Sequence, residues 1–235
     1  MKLKTRILVT FMARLDTQFS QADRDVITRA VKEAESRTSA EVIPVIAASS
    51  GRYDRSEDVV GLWTGLAAFL IVWLLFPVKT EHASWGAPSP VWHFAAYAAA
   101  IIIGFLIGAV IASRVNVLRR LFTPTLQLRE EVQIRARAVF FDQRVHHTVG
   151  ASGVLLYISL FERVATVLAD QSVIDKLGQS QIDRLCAEFT QRLQTVSPIT
   201  ALAETILEVG QCLAQPMPRA HDDVNELSDT LIVLD

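Results

Sequence analysis

The chain has 235 residues, 51% of them hydrophobic, and a formal net charge of only −2 that is unevenly placed. Residues 1–58 carry ten basic and nine acidic groups, residues 114–144 seven and three (net +4), and residues 162–235 five and twelve (net −7). The basic stretch adjoins a long apolar run and brings no recognisable reader motif, which argues against nucleic acid as a partner. Two cysteines are too few to assign a redox compartment.

From the N-terminus, residues 1–17 read as a basic tail carrying Lys2, Lys4 and Arg6. Its apolar stretch Ile7 to Met12 is too short for the core of a signal peptide and is followed by Arg14. The first part of a folded domain spans 18–52. Ser20 with Asp23 three residues on has the spacing of a capping box, and Val26, Ile27, Ala30, Val31 and Ala34 then share one helical face. Glu41 to Ala48 reads as a strand in which Pro44 predicts an edge position or a bulge.

The middle of the chain (57–113) has a different character. Val59 to Val78 and Phe94 to Ala112 contain no Asp, Glu, Lys, Arg or His. Each run is about 20 residues, the length of a helix that crosses a bilayer's hydrocarbon core. Each is apolar all round, unlike a core helix with one polar stripe. The expectation is a transmembrane hairpin with spans at 59–78 and 92–112. All four tryptophans, Trp63, Trp73, Trp85 and Trp92, lie in or beside these runs, and Trp85 and Trp92 suit the interfacial belt.

Arg114, Arg119 and Arg120 follow the second run, and Arg52 and Arg55 precede the first. By the positive-inside rule both termini are cytoplasmic, and the three arginines after the second run can lie against lipid phosphates. Small residues recur at helical spacing: Gly61 with Gly65, and Gly104 with Gly108, the second pair extended by Ala96, Ala100 and Ala112. Such stripes let helix backbones approach closely in lipid. The first partner expected for each is the other arm of the hairpin, and a second copy of the chain comes next. Spans without an ionisable residue offer no polar pathway, which disfavours a transporter.

The second part of the domain spans 114–220. Thr123-Pro124 predicts a helix start, with Leu128, Val132, Ala136, Val139 and Phe140 on its apolar face. His146 and His147 then suit the negative end of that helix. Being adjacent, and lacking a His-x3-His spacing, they do not make a zinc pair. Gly153 to Leu160 is a nearly continuous apolar run, the pattern of a central strand covered on both faces. Phe161, Glu162 and Arg163 turn it into an antiparallel strand, Val164 to Ala169. The long connection from the first strand predicts a parallel pair with a right-handed crossover.

Two amphipathic helices close the domain. Ile182, Leu185, Cys186, Phe189 and Leu193 form one stripe; Leu202, Ile206, Val209 and Leu213 form the other, after Ser197-Pro198. Cys186 and Cys212 read as buried small hydrophobes. Residues 221–235 read as an acidic, partly ordered tail. The fold class expected is α/β: one small αβα domain with a short mixed sheet, interrupted by a two-helix membrane hairpin.

Four stretches carry a family resemblance: Ala30 to Tyr53, Ala136 to Arg163, VATVLAD ending at Asp170, and NELSD from Asn225 to Asp229. Together they make the chain resemble the TPM domain family, and within it a bacterial membrane-anchored subgroup with a hairpin inserted after the first strand. The resemblance implies a domain that in some members is described as an acid phosphatase, in some binds calcium through acidic loops, and in others acts in assembly without chemistry of its own. Typical members carry a Gly-Tyr-Gly turn after the third strand; here Gln171, Ser172 and Val173 stand in that region.

The residues that could serve as oxygen ligands for calcium or another divalent cation are Asp170 and Asp175, with Glu162 or Asp142 as a distant third. The competing reading is that Asp170 caps the helix that follows it and Asp175 is solvated. No nucleophile triad, P-loop or phosphate-cradling loop is evident, so no catalytic residue is assigned. Two functions follow as expectations. The first is a membrane-anchored, non-enzymatic module that presents its domain at the inner face of a bacterial membrane and helps assemble another membrane protein. The alternative is a metal-dependent phosphohydrolase.

Overall fold

The computed structural model describes residues 19–51, 54–76, 90–115, 123–148, 150–220 and 225–234. In chain order these form helix α1 (Gln21–Glu35), strand β1 (Glu41–Ala47), α2 (Asp54–Leu75), α3 (Pro90–Arg114), α4 (Thr125–Asp142) and a 3-10 turn (Val145–His147). There follow β2 (Gly153–Ser159), β3 (Val164–Ala169), α5 (Gln171–Leu177), α6 (Gln179–Thr195), α7 (Pro198–Ala214) and β4 (Ile232–Leu234). Two compact units result: Met1–Gly51 with Leu126–Asp235, and Arg52–Thr125.

The first unit is an α/β domain on a four-stranded mixed sheet of order β3-β2-β1-β4. β1 and β2 are parallel over all seven residues, Glu41 opposite Gly153 and Ala47 opposite Ser159, and β2 and β3 are antiparallel. Strand alternation assigns the two faces. Val42 and Ile46 of β1, with Val154, Leu156 and Ile158 of β2, pack against α1, α6 and α7. Ile43, Val45 and Ala47, with Leu155 and Tyr157, pack against α4. Every residue of β2 is buried, which is why its sequence is a continuous apolar run.

Local signals account for the helix ends. Ser20 and Asp23 form the reciprocal capping box at the start of α1, with Ser20 Oγ accepting from the Asp23 amide at 3.2 Å and Asp23 Oδ2 from the Ser20 amide at 2.9 Å. Ser197 caps α7, with Pro198 at its first turn. Gly210 lets α7 approach α1: a Cβ there would lie 2.7 Å from Ala34 Cα.

One expectation is corrected and another is met only locally. The segment read as an acidic, partly ordered tail ends in β4, which pairs parallel with Val45, Ile46 and Ala47 of β1. Three apolar residues, Ile232, Val233 and Leu234, are enough to extend an existing sheet although the surrounding composition is acidic. Pro44 lies at no bulge; its strand is central, yet at Pro44 itself the β4 side is unpaired among the described residues, which is the edge position expected. It is tolerated because β4 pairs only from Val45 onward, so Pro44 has no β4 partner to which a missing N–H would be owed. The basic tail at 1–17, Trp85 and the connector around it, Arg119 and Arg120 lie outside the described residues.

β3 is one edge of the sheet, and α6 covers it with side chains. Thr190 Oγ1 donates to the Ala165 carbonyl at 2.9 Å, and the Val167 amide donates to Cys186 Sγ at 3.1 Å. These two residues, one turn apart on α6, occupy backbone groups that would otherwise template another strand. Cys186 is therefore a half-buried hydrogen-bonding group, and burial raises its thiol pKa, which keeps it protonated.

Candidate functional site

In the second unit, α2 and α3 pack through their small residues. Gly61, Gly65, Gly104 and Gly108 are all buried. A Cβ at Gly65 would sit 3.0 Å from the Ile101 carbonyl, one at Gly104 2.7 Å from Ala68 Cβ, and one at Gly61 2.9 Å from the Phe105 ring. At Gly108 it would fall 1.8 Å from Thr64 Oγ1, so only glycine fits. Thr64 Oγ1 lies 2.9 Å from the Val60 carbonyl of its own helix and 2.9 Å from the Gly104 carbonyl across the seam. Its one proton can serve either, which ties the helices together without leaving a polar group unsatisfied.

Further along, Tyr97 donates to the Phe76 carbonyl at 3.0 Å and meets Phe69 edge-on at 5.6 Å. Ala100 is half-buried, Ala112 fully buried and Ala96 exposed. The outward faces carry Leu62, Trp63, Leu66, Ile102, Ile103 and Leu106, all exposed. Two helices, Glu57–Leu75 and Val91–Arg114, are long and apolar enough to cross a membrane.

In the α/β unit the C-terminal ends of the parallel strands β1 and β2 hold a buried polar network. Glu162, only 1% exposed, is its acceptor. Its Oε1 receives the Ser50 amide at 2.8 Å and Ser49 Oγ at 3.4 Å, and its Oε2 receives Ser159 Oγ. Ser50 Oγ continues the chain to Ser159 Oγ at 2.8 Å and to Tyr157 OH at 2.9 Å. Burial raises the Tyr157 pKa, so its hydroxyl stays neutral. Arg163, with φ of 53°, makes the left-handed corner of the turn that carries Glu162. The network fastens Ser49 and Ser50, next to the last residue of this unit before the chain leaves it, to the β2–β3 turn.

Asp170 and Asp175 sit elsewhere in this unit, on α5. Asp170 is the N-cap of α5, accepting from the Gln171 amide at 2.8 Å, while its Oδ2 has no hydrogen-bond partner among the described residues. Asp175 is exposed and accepts from the Gln171 side-chain amide at 2.7 Å. Among the described residues no group of three or more His, Cys, Asp or Glu converges on a point where a metal could sit. Glu162 is committed to the serine network, and Asp142 is the exposed last residue of α4. His146 and His147 lie in the 3-10 turn beyond α4, where the His146 ring meets Phe141 at 4.9 Å.

A second polar cluster, which sequence reasoning missed, occupies the N-terminal end of β1. Glu35, Glu41, Arg219, Asn225 and Asp229 line a cavity of about 190 Å³. Glu35 accepts from the Val42 amide at 3.1 Å and from Asn225 at 3.4 Å, and Asn225 also donates to Asp229. Burial pushes the Glu35 pKa up to about 8; the Val42 hydrogen bond and Arg219 oppose the rise, and Glu41 and Asp229 add to it.

The fold is similar to the NMR structure of BA42 protein from the psychrophilic bacterium Bizionia argentinensis, at 15% identity and a TM-score of 0.52. The likeness covers 92% of this chain and 94% of that one, and at this identity it speaks for the fold alone. No family model matches the chain, and no curated protein matches it.

Proposed function

We propose that the chain is a membrane-anchored interaction module: α2 and α3 anchor it, and the α/β unit, a TPM-like domain, helps assemble or stabilise another membrane protein. The observation that carries this reading is the arrangement of the hairpin, whose seam of glycines is sealed while its outward faces are apolar and exposed. A bilayer is the solvent that such faces match. The arginines around the hairpin support a bacterial cytoplasmic membrane with both termini inside. The buried Ser49-Ser50-Glu162 network supports a domain held firmly at the point where the chain departs toward the anchor.

The test is affinity purification of the full chain from native membranes after gentle solubilisation. A membrane protein that co-purifies in constant ratio is the expected result, and its absence at every detergent strength would sink the proposal. A second reading, a cation-dependent phosphohydrolase, has the buried Oδ2 of Asp170, without a hydrogen-bond partner among the described residues, on its side. It requires calcium or another divalent cation to bind the full chain in calorimetry, and the heat to vanish in Asp170→Ala.

A further inference from the structure

Among the described residues outside 54–115, five large apolar side chains are more than a third exposed: Val26, Leu126, Ile134, Phe141 and Val196. The three most exposed, Leu126 at 68%, Ile134 at 63% and Phe141 at 61%, all belong to α4. At 100° per residue they fall within one sector of about 80°, opposite the face that α4 buries against the sheet. They extend about 22 Å along the helix axis. α4 thus has two apolar faces, one seated in the core and one left mostly exposed among the described residues, where Phe141 meets the His146 ring at 4.9 Å. In α1 the buried positions Ile27, Ala30, Val31 and Ala34 form a single stripe, as expected of a helix with one covered face.

Three observations name what covers the second face. Ten residues separate α4 from the end of the apolar helix α3, so the start of α4 is tethered within about 40 Å of that end whatever path the connector takes. The segment from Arg114 to Arg144 has a net charge of +4, against −7 for the chain beyond residue 161, so this is the part of the sequence suited to an anionic surface. The charges on the outer face itself, Arg137 and Glu130, lie between the apolar residues and offset each other, leaving insertion of those residues as the dominant contact. We propose that α4 is an in-plane membrane helix: its outer face, Leu126, Ile134 and Phe141, lies in the headgroup–acyl boundary of a bilayer while its inner face holds the α/β unit. The inference rests on the reading of α2 and α3 as an anchor.

The experiment uses the full chain, with Cys186→Ser and Cys212→Ser, in vesicles of zwitterionic lipid containing one anionic component. Nitroxides at Ile134→Cys, Phe141→Cys, Leu70→Cys and Arg184→Cys report contact with oxygen, which partitions into acyl chains, against contact with a water-soluble nickel complex. The expected result is a several-fold higher oxygen-to-nickel ratio at Ile134 and Phe141 than at Arg184, on exposed α6, approaching the ratio at Leu70. A water-like ratio at Ile134 with a lipid-like ratio at Leu70 overturns the in-plane helix and leaves the anchor standing. A water-like ratio at Leu70 overturns the anchor, and a lipid-like Ile134 then supports the surface contact on its own. Spin–spin broadening at Ile134 with neither oxygen nor nickel contact assigns the face to a second copy and overturns the inference.

Discussion

In the α/β unit, apart from the outer face of α4, large side chains point inward: Phe189, Tyr157, Leu155 and Ile206 are fully buried, and the charged residues lie mostly outside. In the hairpin the buried seam is glycine and threonine, while Trp63, Leu62 and Ile102 point outward. The first arrangement sorts side chains by polarity, the way water selects them. The second sorts them by size. That is the pattern expected of helices in an apolar surround, which would give no preference for hiding a leucine and let close backbone approach decide what faces the partner helix.

The comparison breaks if large side chains matter equally in both places. Phe189→Ala should destabilise the α/β unit by about 3–5 kcal/mol, since it empties a site at 0% exposure. Trp63→Ala, at 63% exposure in the hairpin, should change stability in micelles by less than about 1 kcal/mol. Urea unfolding followed by circular dichroism measures both, and equal losses would dissolve the distinction.

Glu162→Ala comes next, at about 2–3 kcal/mol, because it leaves the Ser50 amide and Ser159 hydroxyl without their charged acceptor. Glu162→Gln, which keeps an acceptor, should recover part of that loss in the same assay. In the hairpin the corresponding sensitive position is a glycine. Gly104→Val should cost about 1–3 kcal/mol of hairpin helicity in thermal melts, because even its Cβ overlaps Ala68 and the Thr64 carbonyl. A melt unchanged from the parent chain would show that the seam is loose.

How far these features can be read in the sequence depends on how local their causes are. The capping box at Ser20 and Asp23, the buried run of β2 and the stripes of α6 and α7 are set by residues within a few positions of one another. β4 is invisible by that route, because only the register of Val45 to Ala47 gives its three residues a place. Glu162 reads as a turn residue because its partner Ser50 is 112 positions away. The one local hint is that Ser49-Ser50 and Glu162 both follow strands, where an α/β sheet gathers its polar groups. Asp170 could be weighed as cap or ligand from sequence, and the structure finds it capping α5. The outward apolar face of α4 is also present in the sequence, masked by the stronger pattern on its buried side.

Glu35 gives the smallest expected effect, with a sign opposite to that of a typical surface carboxylate. Its pKa rises from an ordinary 4.5 to about 8, chiefly through burial, so between those values the fold holds a proton that the unfolded chain releases. Stability from this group is therefore fully present below about pH 4.5, declines as pH rises and is lost above about pH 8. Because water reaches the side chain through the adjoining cavity, the expected change is only about 1 kcal/mol across that window. Glu35→Gln keeps the acceptor for the Val42 amide and removes the proton equilibrium, so it should flatten the pH dependence and stabilise the domain most at pH 8 and above. Urea unfolding of both chains at pH 5, 6.5 and 8.5 reads the effect. Parallel stability curves would mean that Glu35 is ionised in the fold and that the Asn225–Asp229 segment is held by something other than its proton.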